Sequence, residues 1–177
     1  MSVRRTSASV FLDTSAFIPL LDEDNALHAK LVQHLYALKA FIDIDTVVLS
    51  EFLVGLADVS ERKAVAEKCS KQFRVYSFDT RTAVVCAELF KILKAKGQIP
   101  KTPTRRQLTK VDVMIMASAM VSRATEFIFE DEHFVNYPAL LPDPVCGYSL
   151  PSFVRISKLP TVTVQEDLPD FDENPPS

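Results

Sequence analysis

Four carboxylates are the residues with which this sequence could do chemistry, because each lies within two positions of an apolar run. They are Asp13, Glu51, Asp112 and Asp131. If the apolar runs are strands of a parallel sheet, three of the acids emerge at its carboxyl edge, where ligands bind in open α/β sheets. Asp112 precedes its run instead, and would enter at a helix N-terminus facing that edge. The pattern predicts one acidic cleft.

Such a cleft implies a divalent cation, because like charges at close range disfavour one another's ionisation. Mg²⁺ or Mn²⁺ takes carboxylate oxygens and water as ligands. A cation of this kind lowers the pKa of bound water and stabilises in-line attack on phosphate. We expect Asp13, Glu51 and Asp112 to hold the metal, with Asp131 completing the shell or orienting the water. The three glycines cannot build a P-loop or a GxGxxG motif.

Each acid also has a purely structural explanation. Asp13 and Asp131 could be turn residues. Glu51 and Asp112 could be acids of a first helical turn, where the helix dipole favours them. Four such coincidences beside four apolar runs are less expected than a shared site.

Strands and helices must alternate along the chain to position these acids. Strands are predicted at residues 10–12, 46–49, 73–78 and 126–129, with one or two more among 153–156 and 161–164. Between them we expect helices: one capped by Thr14 or Ser15 and broken near Pro19, one opened by Ser50, one over 80–96 and one over 111–123, with a loop at 98–109. This alternation predicts an α/β fold with a mostly parallel sheet and helices on both faces.

Length and composition predict a single domain over residues 8–160. The chain has 177 residues, of which 47% are hydrophobic, so it can build one sizeable core. Its apolar runs are too short to span a membrane, and we expect no secretory signal. Three cysteines without a CxxC pair indicate neither a zinc ribbon nor a disulfide framework, so a reduced, cytoplasmic protein is expected.

The charge is divided unevenly along the chain. Residues 165–177 hold five acids, three prolines and no base, and are predicted to be a disordered tail. Outside the tail, 18 of the 23 acids remain against 20 bases, so the net charge of −3 does not exclude a nucleic-acid partner. Residues 91–110 hold seven bases and no acid. A helix C-terminus explains some of these lysines, but a phosphate-binding surface beside the metal explains the rest better.

Four segments together resemble a PIN domain, and within that superfamily the VapC-type ribonuclease toxins. They are residues 10–16, 50–52, 112–119 and 129–134, and the resemblance covers about residues 8–140. It implies a Rossmann-like three-layer α/β/α fold, an Mg²⁺- or Mn²⁺-dependent ribonuclease, and frequent homodimers. The four acids fall on the family's acidic positions, and Ser15 falls on a polar position near the metal. His133 stands where a further acid is common in the family.

The sequence therefore predicts a metal-dependent endoribonuclease, a VapC-like toxin with a small antitoxin as partner. RNA phosphates are expected to contact Lys101, Arg105, Arg106 and Lys110. The alternative is a PIN-fold RNA-binding or interaction module with weak or no catalysis. An aspartyl-phosphate enzyme is less expected, because Ser15 stands where such enzymes need a second acid.

Overall fold

The computed structural model describes residues 8–160, in which strands and helices alternate. The strands are β1 Ser9–Leu12, β2 Phe41–Asp45, β3 Arg74–Tyr76, β4 Glu126–Phe129 and β5 Ser152–Arg155. The α-helices are α1 Thr14–Leu21, α2 His28–Leu38, α3 Thr46–Val54, α4 Val59–Gln72, α5 Thr80–Ala95, α6 Pro103–Val121 and α7 Tyr137–Leu140. Short 3₁₀ helices cover Glu132–Asn136 and Ile156–Lys158.

The five strands form one sheet in the order β3-β2-β1-β4-β5. Every neighbouring pair is parallel, so all carboxyl ends lie along one edge. The predicted three-layer α/β/α fold is confirmed. The strand order reverses between β1 and β4, and a crevice at such a switch point is where open α/β sheets bind ligands.

The prediction of a strand at residues 46–49 was wrong. This segment is the first half of helix α3, and the strand is the preceding β2. Thr46 and two valines favour a strand locally, but the Asp45 side chain accepts hydrogen bonds from the amides of Val47 and Val48 and caps a helix there. A buried helix and a buried strand share the same apolar run, and the cap decides between them.

The predicted loop at residues 98–109 was also wrong for most of its length. Helix α6 begins at Pro103, where a proline is tolerated because the first helical turn needs no amide donor. Similarly, α1 continues through Pro19 instead of breaking there, and its cap is Asp13 instead of Thr14 or Ser15.

The core lies on both sides of β1 and β4. Phe11, Phe17, Leu89, Met116 and Phe127 have no exposed surface. Within the described part of the chain, no helix is long and apolar enough to cross a membrane. The strand predicted at 161–164 and the acidic tail at 165–177 lie outside the described residues.

Candidate active site

Asp13 lies where β1 ends, at the switch point of the sheet. Its side chain is 4% exposed and accepts a hydrogen bond from the Ser15 amide at 2.9 Å, which caps α1. Its own amide donates to the Ile128 carbonyl of β4 at 3.0 Å. The carboxylate is thereby fixed at the carboxyl edge by the strand and by the helix that follows.

Ser15 connects Asp13 to the loop after β4. Its hydroxyl donates to Asp13 Oδ2 at 2.6 Å and accepts from the amides of Glu130 and Asp131 at 2.9 and 3.1 Å. One side chain therefore orients the first acid and sets the position of the segment that carries the fourth. The supporting role expected for Ser15 has a physical basis in these contacts.

Glu51 lies in the middle of α3, not in the first turn as the sequence suggested. The Thr14 hydroxyl donates a hydrogen bond to Glu51 Oε2. The two helices are held together by an edge-to-face contact between Phe17 of α1 and Phe52 of α3, with ring centroids 5.4 Å apart. This packing brings Glu51 to the start of α1, beside Asp13.

Asp112 lies in the third turn of α6, not at a helix N-terminus. Its side chain is 17% exposed, and the buried Oδ2 oxygen has no hydrogen-bond partner. A buried carboxylate oxygen without a partner costs free energy. Something outside the chain must satisfy it if the carboxylate is to be ionised.

Asp131 and His133 approach Asp112 from the loop after β4. Asp131 caps the 3₁₀ helix Glu132–Asn136 by accepting from the His133 amide at 2.9 Å. His133 Nδ1 lies 3.4 Å from Asp131 Oδ1 and 3.9 Å from Asp112 Oδ2. Phe134 anchors this segment in the core, 5.0 Å from the Phe127 ring. The imidazole thus stands between two of the acids.

The acids of this site lie close enough for the charge of one to raise the pKa of another. Burial, together with the charges of Asp13, Asp131 and Glu51, raises the pKa of Asp112 to about 7. Burial also raises the pKa of Asp13 to about 6, against the hydrogen bonds from Ser15. Buried Tyr137 has a raised pKa because of its burial and the charges of Asp112 and Asp131. The fold therefore collects negative charge here without supplying an equal positive charge.

The chemistry of this donor set fits a hard divalent cation. It offers carboxylate oxygens, one of them buried and unpartnered, at a place where ionisation is disfavoured. A cation bound there would remove that penalty, because it favours the charged form of each carboxylate. Within residues 8–160 the side chains do not form a ready-made cage of three converging ligands. Binding would require them to close on the ion.

A fifth acid, Asp45, was missed by the sequence reasoning. It is fully buried at the end of β2, its Oδ1 caps α3, and its Oδ2 has no hydrogen-bond partner. Burial raises its pKa, and the Glu51 charge adds to that. The signal was the alternation of apolar and acidic residues at 41–45, which has the period of a strand.

The predicted phosphate contacts lie on or just before α6, and all four are exposed. Successive helical residues turn by about 100°, so Arg105 shares a face with Asp112 two turns away, roughly 10 Å along the axis. Arg106 lies on a neighbouring face and Lys110 on nearly the opposite one. Of the four bases, Arg105 is therefore the one that helical geometry places on the same face as Asp112.

Comparison with known proteins gives a consistent result. Residues 10–140 match the family model described as PIN domain. The chain has no match among the curated proteins.

Several solved structures share the fold. VapBC2 from Rickettsia felis, bound to a DNA fragment from its promoter, has a TM-score of 0.57 at 15% identity, covering 82% of this chain and 97% of that one. VapBC-1 from nontypeable Haemophilus influenzae has a TM-score of 0.58 at 15% identity, covering 84% of this chain and 98% of that one. Mycobacterium tuberculosis VapC20, a sarcin-ricin loop cleaving toxin, has a TM-score of 0.50 at 19% identity, covering 79% of this chain and 96% of that one.

Proposed function

Since this chain belongs to the PIN domain family, we propose that it is a metal-dependent endoribonuclease that hydrolyses phosphodiester bonds of RNA. The observation that carries the proposal is the unpartnered, buried Asp112 oxygen in the field of three other carboxylates. A family of nucleases and a cluster of carboxylates whose chemistry fits a cation support the same reaction.

The four carboxylates would hold Mg²⁺ or Mn²⁺, with Asp13 and Asp112 contributing the most buried oxygens. When bound, the ion supplies an activated water and a counter-charge for the phosphate. The ion would favour the charged forms of the carboxylates, and the chain's own part is to orient them. Ser15 fixes the rotamer of Asp13 and the position of Asp131, and Thr14 orients Glu51. Arg105 would bind a phosphate of the incoming strand, and the other bases would bind phosphates further along.

We also propose that the chain is the toxin of a type II pair. The matched structures from Rickettsia felis and Haemophilus influenzae are VapBC assemblies, and the chain covers 97% or more of each. A small antitoxin is therefore the expected protein partner, and a homodimer the expected oligomer. The pair is supported if a neighbouring reading frame encodes a small DNA-binding protein and that protein co-purifies with this chain.

Cleavage of RNA tests the nuclease directly. We expect cleavage with Mg²⁺ or Mn²⁺, none with a chelator, and recovery when metal is restored. Asp13→Asn keeps the size of the side chain and removes its charge, so it should abolish cleavage while the chain stays folded. Cleavage that persists in the chelator, or full activity in Asp13→Asn, would reject the mechanism.

RNA binding without catalysis is a second candidate, which one observation favours. His133 lies within 4 Å of both Asp131 and Asp112. In its charged form the imidazole would itself supply a positive charge among the acids, in place of a metal. If neither the unchanged chain nor His133→Ala binds Mn²⁺, and both still bind RNA, the RNA-binding module is favoured over the enzyme.

A further inference from the structure

The exposed basic surface at the start of α6 has no counter-charge within the described residues. We define the α6 basic surface as Lys101, Arg105 and Arg106, and leave out Lys110 because it lies on nearly the opposite face of the helix from Asp112. Ion pairs elsewhere in residues 8–160 engage Lys71, Arg74, Arg81, Lys91 and Arg155, but none engages these three bases. Their charge is thus available to an anionic partner.

The sequence contains such an anion in the same chain. Residues 165–177 carry Glu166, Asp167, Asp170, Asp172 and Glu173 without a single base. Spaced carboxylates along a chain present negative charges in a row, as RNA phosphates do. Attraction between the two segments should be stronger at low salt, because exposed charges are screened within about 10 Å at 0.1 M salt.

The described structure delivers this tail to the correct edge of the sheet. β5 is parallel to β4, so both strands end at the edge that carries the acids. The Ser157 amide donates to Glu130 Oε2 at 2.8 Å, and Arg155 Nε donates to Glu130 Oε1 at 3.0 Å. The chain therefore leaves the described domain next to the residue that precedes Asp131.

The length of the tail suffices to reach α6. Arg105 lies roughly 10 Å along the helix from Asp112. Glu166 is nine residues from Ser157, which allows a span of up to about 30 Å, and Glu173 can reach farther. A tethered segment also acts at a high effective concentration, on the order of millimolar for a short flexible link. A weak contact is therefore enough to compete with RNA.

We propose that the acidic tail binds the α6 basic surface of its own chain and competes there with RNA phosphates. The competition rests on the proposed RNA-binding function, whereas the contact itself does not. It would lower nuclease activity at low substrate concentration and leave the metal site unchanged.

A carbodiimide crosslinking experiment on the full chain tests the contact without RNA. This reagent joins carboxylates directly to amines. Trypsin releases the tail as the peptide 159–177, which has no internal lysine or arginine. We expect it to be linked to Lys101 in preference to Lys30, Lys63, Lys68 and the far-face Lys110, and the link to be lost near 1 M salt. Links spread evenly over the lysines would overturn the proposal.

A mixture of isotope-labelled and unlabelled chains identifies which copy contributes the tail. The proposal requires that the two linked peptides carry the same label, because both come from one copy of the chain. Links between a labelled and an unlabelled peptide in the statistical proportion would show that tails bind other copies, which would also overturn the proposal.

RNA affinity tests the competition with two matched triple variants. Asp170→Asn, Asp172→Asn and Glu173→Gln together should tighten binding of a single-stranded RNA by at least about threefold at low salt. The control replaces Asp22, Glu23 and Asp24 by the corresponding amides. It changes net charge equally in an exposed turn after α1, which runs away from the carboxyl edge.

Equal tightening in both variants would show only an effect of net charge and would reject the competition, as would no change in the tail variant. If the chain binds no RNA at all, the proposed function fails, and the crosslinks alone decide whether the tail contact exists. The two failures are therefore distinguishable.

Discussion

Asp43 with its partners Arg74 and Ser9 forms a paired group, the acids at the carboxyl edge form an edge group, and the two groups differ in how the carboxylate charge is balanced. Asp43, within β2, is fully buried, accepts from Arg74 Nε at 2.6 Å and is hydrogen bonded by the Ser9 hydroxyl. Asp13 and Asp112, at the carboxyl edge, pair with no lysine or arginine of residues 8–160. The first group is complete within the chain, whereas the second needs a partner from outside.

The difference separates stability from function. Burial raises the pKa of Asp43, and the hydrogen bonds from Ser9 and Arg74 act against it. At Asp112 the neighbouring charges add to the effect of burial instead. A chain selected only for stability would not collect like charges in this way, so the edge group is best explained by a ligand.

The largest expected effect is on catalysis. Asp112→Asn should lower RNA cleavage at least about a thousandfold, or roughly 4 kcal/mol of transition-state stabilisation. Asp43→Asn, the same chemical change at the fully buried acid of the paired group, should leave the rate within about threefold. Initial rates at saturating Mn²⁺ compare the two. If both variants lose activity equally, the distinction between the groups is broken.

Removing the partner in the paired group should affect stability. Arg74→Met leaves Asp43 buried without its cation, which we expect to cost about 2 kcal/mol of unfolding free energy, less than for a fully buried pair because Arg74 is 44% exposed. The loss should be larger at pH 8 than at pH 4, since only the ionised Asp43 needs the cation. Urea unfolding monitored by circular dichroism measures it, and an unchanged midpoint at pH 8 would contradict the account.

In the edge group, removing a charge should raise the unfolding free energy of the metal-free chain instead of lowering it. Because the folded pKa of Asp112 is raised to about 7, its contribution to the stability of the metal-free chain is most favourable below about pH 4 and is lost as the pH rises through 7. Asp112→Asn removes that loss, so it should stabilise the metal-free chain by about 2 kcal/mol at pH 8 and hardly at pH 4. Thermal unfolding in a chelator tests this, and destabilisation at pH 8 would refute it.

The smallest effect concerns RNA phosphates above the edge group. Arg105→Ala should weaken binding about evenly across RNA sequences and reduce the salt slope by about 0.7. Lys110→Ala is the matched control on the far face of α6 and should change the slope less. RNA affinity measured at several salt concentrations compares them. Equal slopes in the two variants would show that the orientation of Arg105 is unimportant.

The sequence predicted the elements whose signals are local. β4 was predicted with its observed bounds, and the helix after Asp79 ends before Gly97, whose positive φ of 70° favours glycine. Asp13 was identified correctly as the end of a strand. These positions depend on a run of apolar residues and on caps within a few residues.

The errors arose where tertiary contacts decide. β2 has two aspartates in five residues, and Asp43 is tolerated in the sheet because Arg74, 31 residues away, pairs with it. That partner cannot be read from the segment alone, whereas the cap by Asp45 is a local signal that was overlooked. For the same reason Glu51 was assigned to a first helical turn, although its neighbours come from α1.

Calorimetric titration of Mn²⁺ at pH 8 tests the metal site most directly, because it needs neither RNA nor turnover. The account predicts that the unchanged chain and Asp43→Asn bind Mn²⁺ with the same affinity, and that Asp112→Asn binds at least about tenfold more weakly, or roughly 1.4 kcal/mol. Equal Mn²⁺ affinity in the unchanged chain and Asp112→Asn would contradict it.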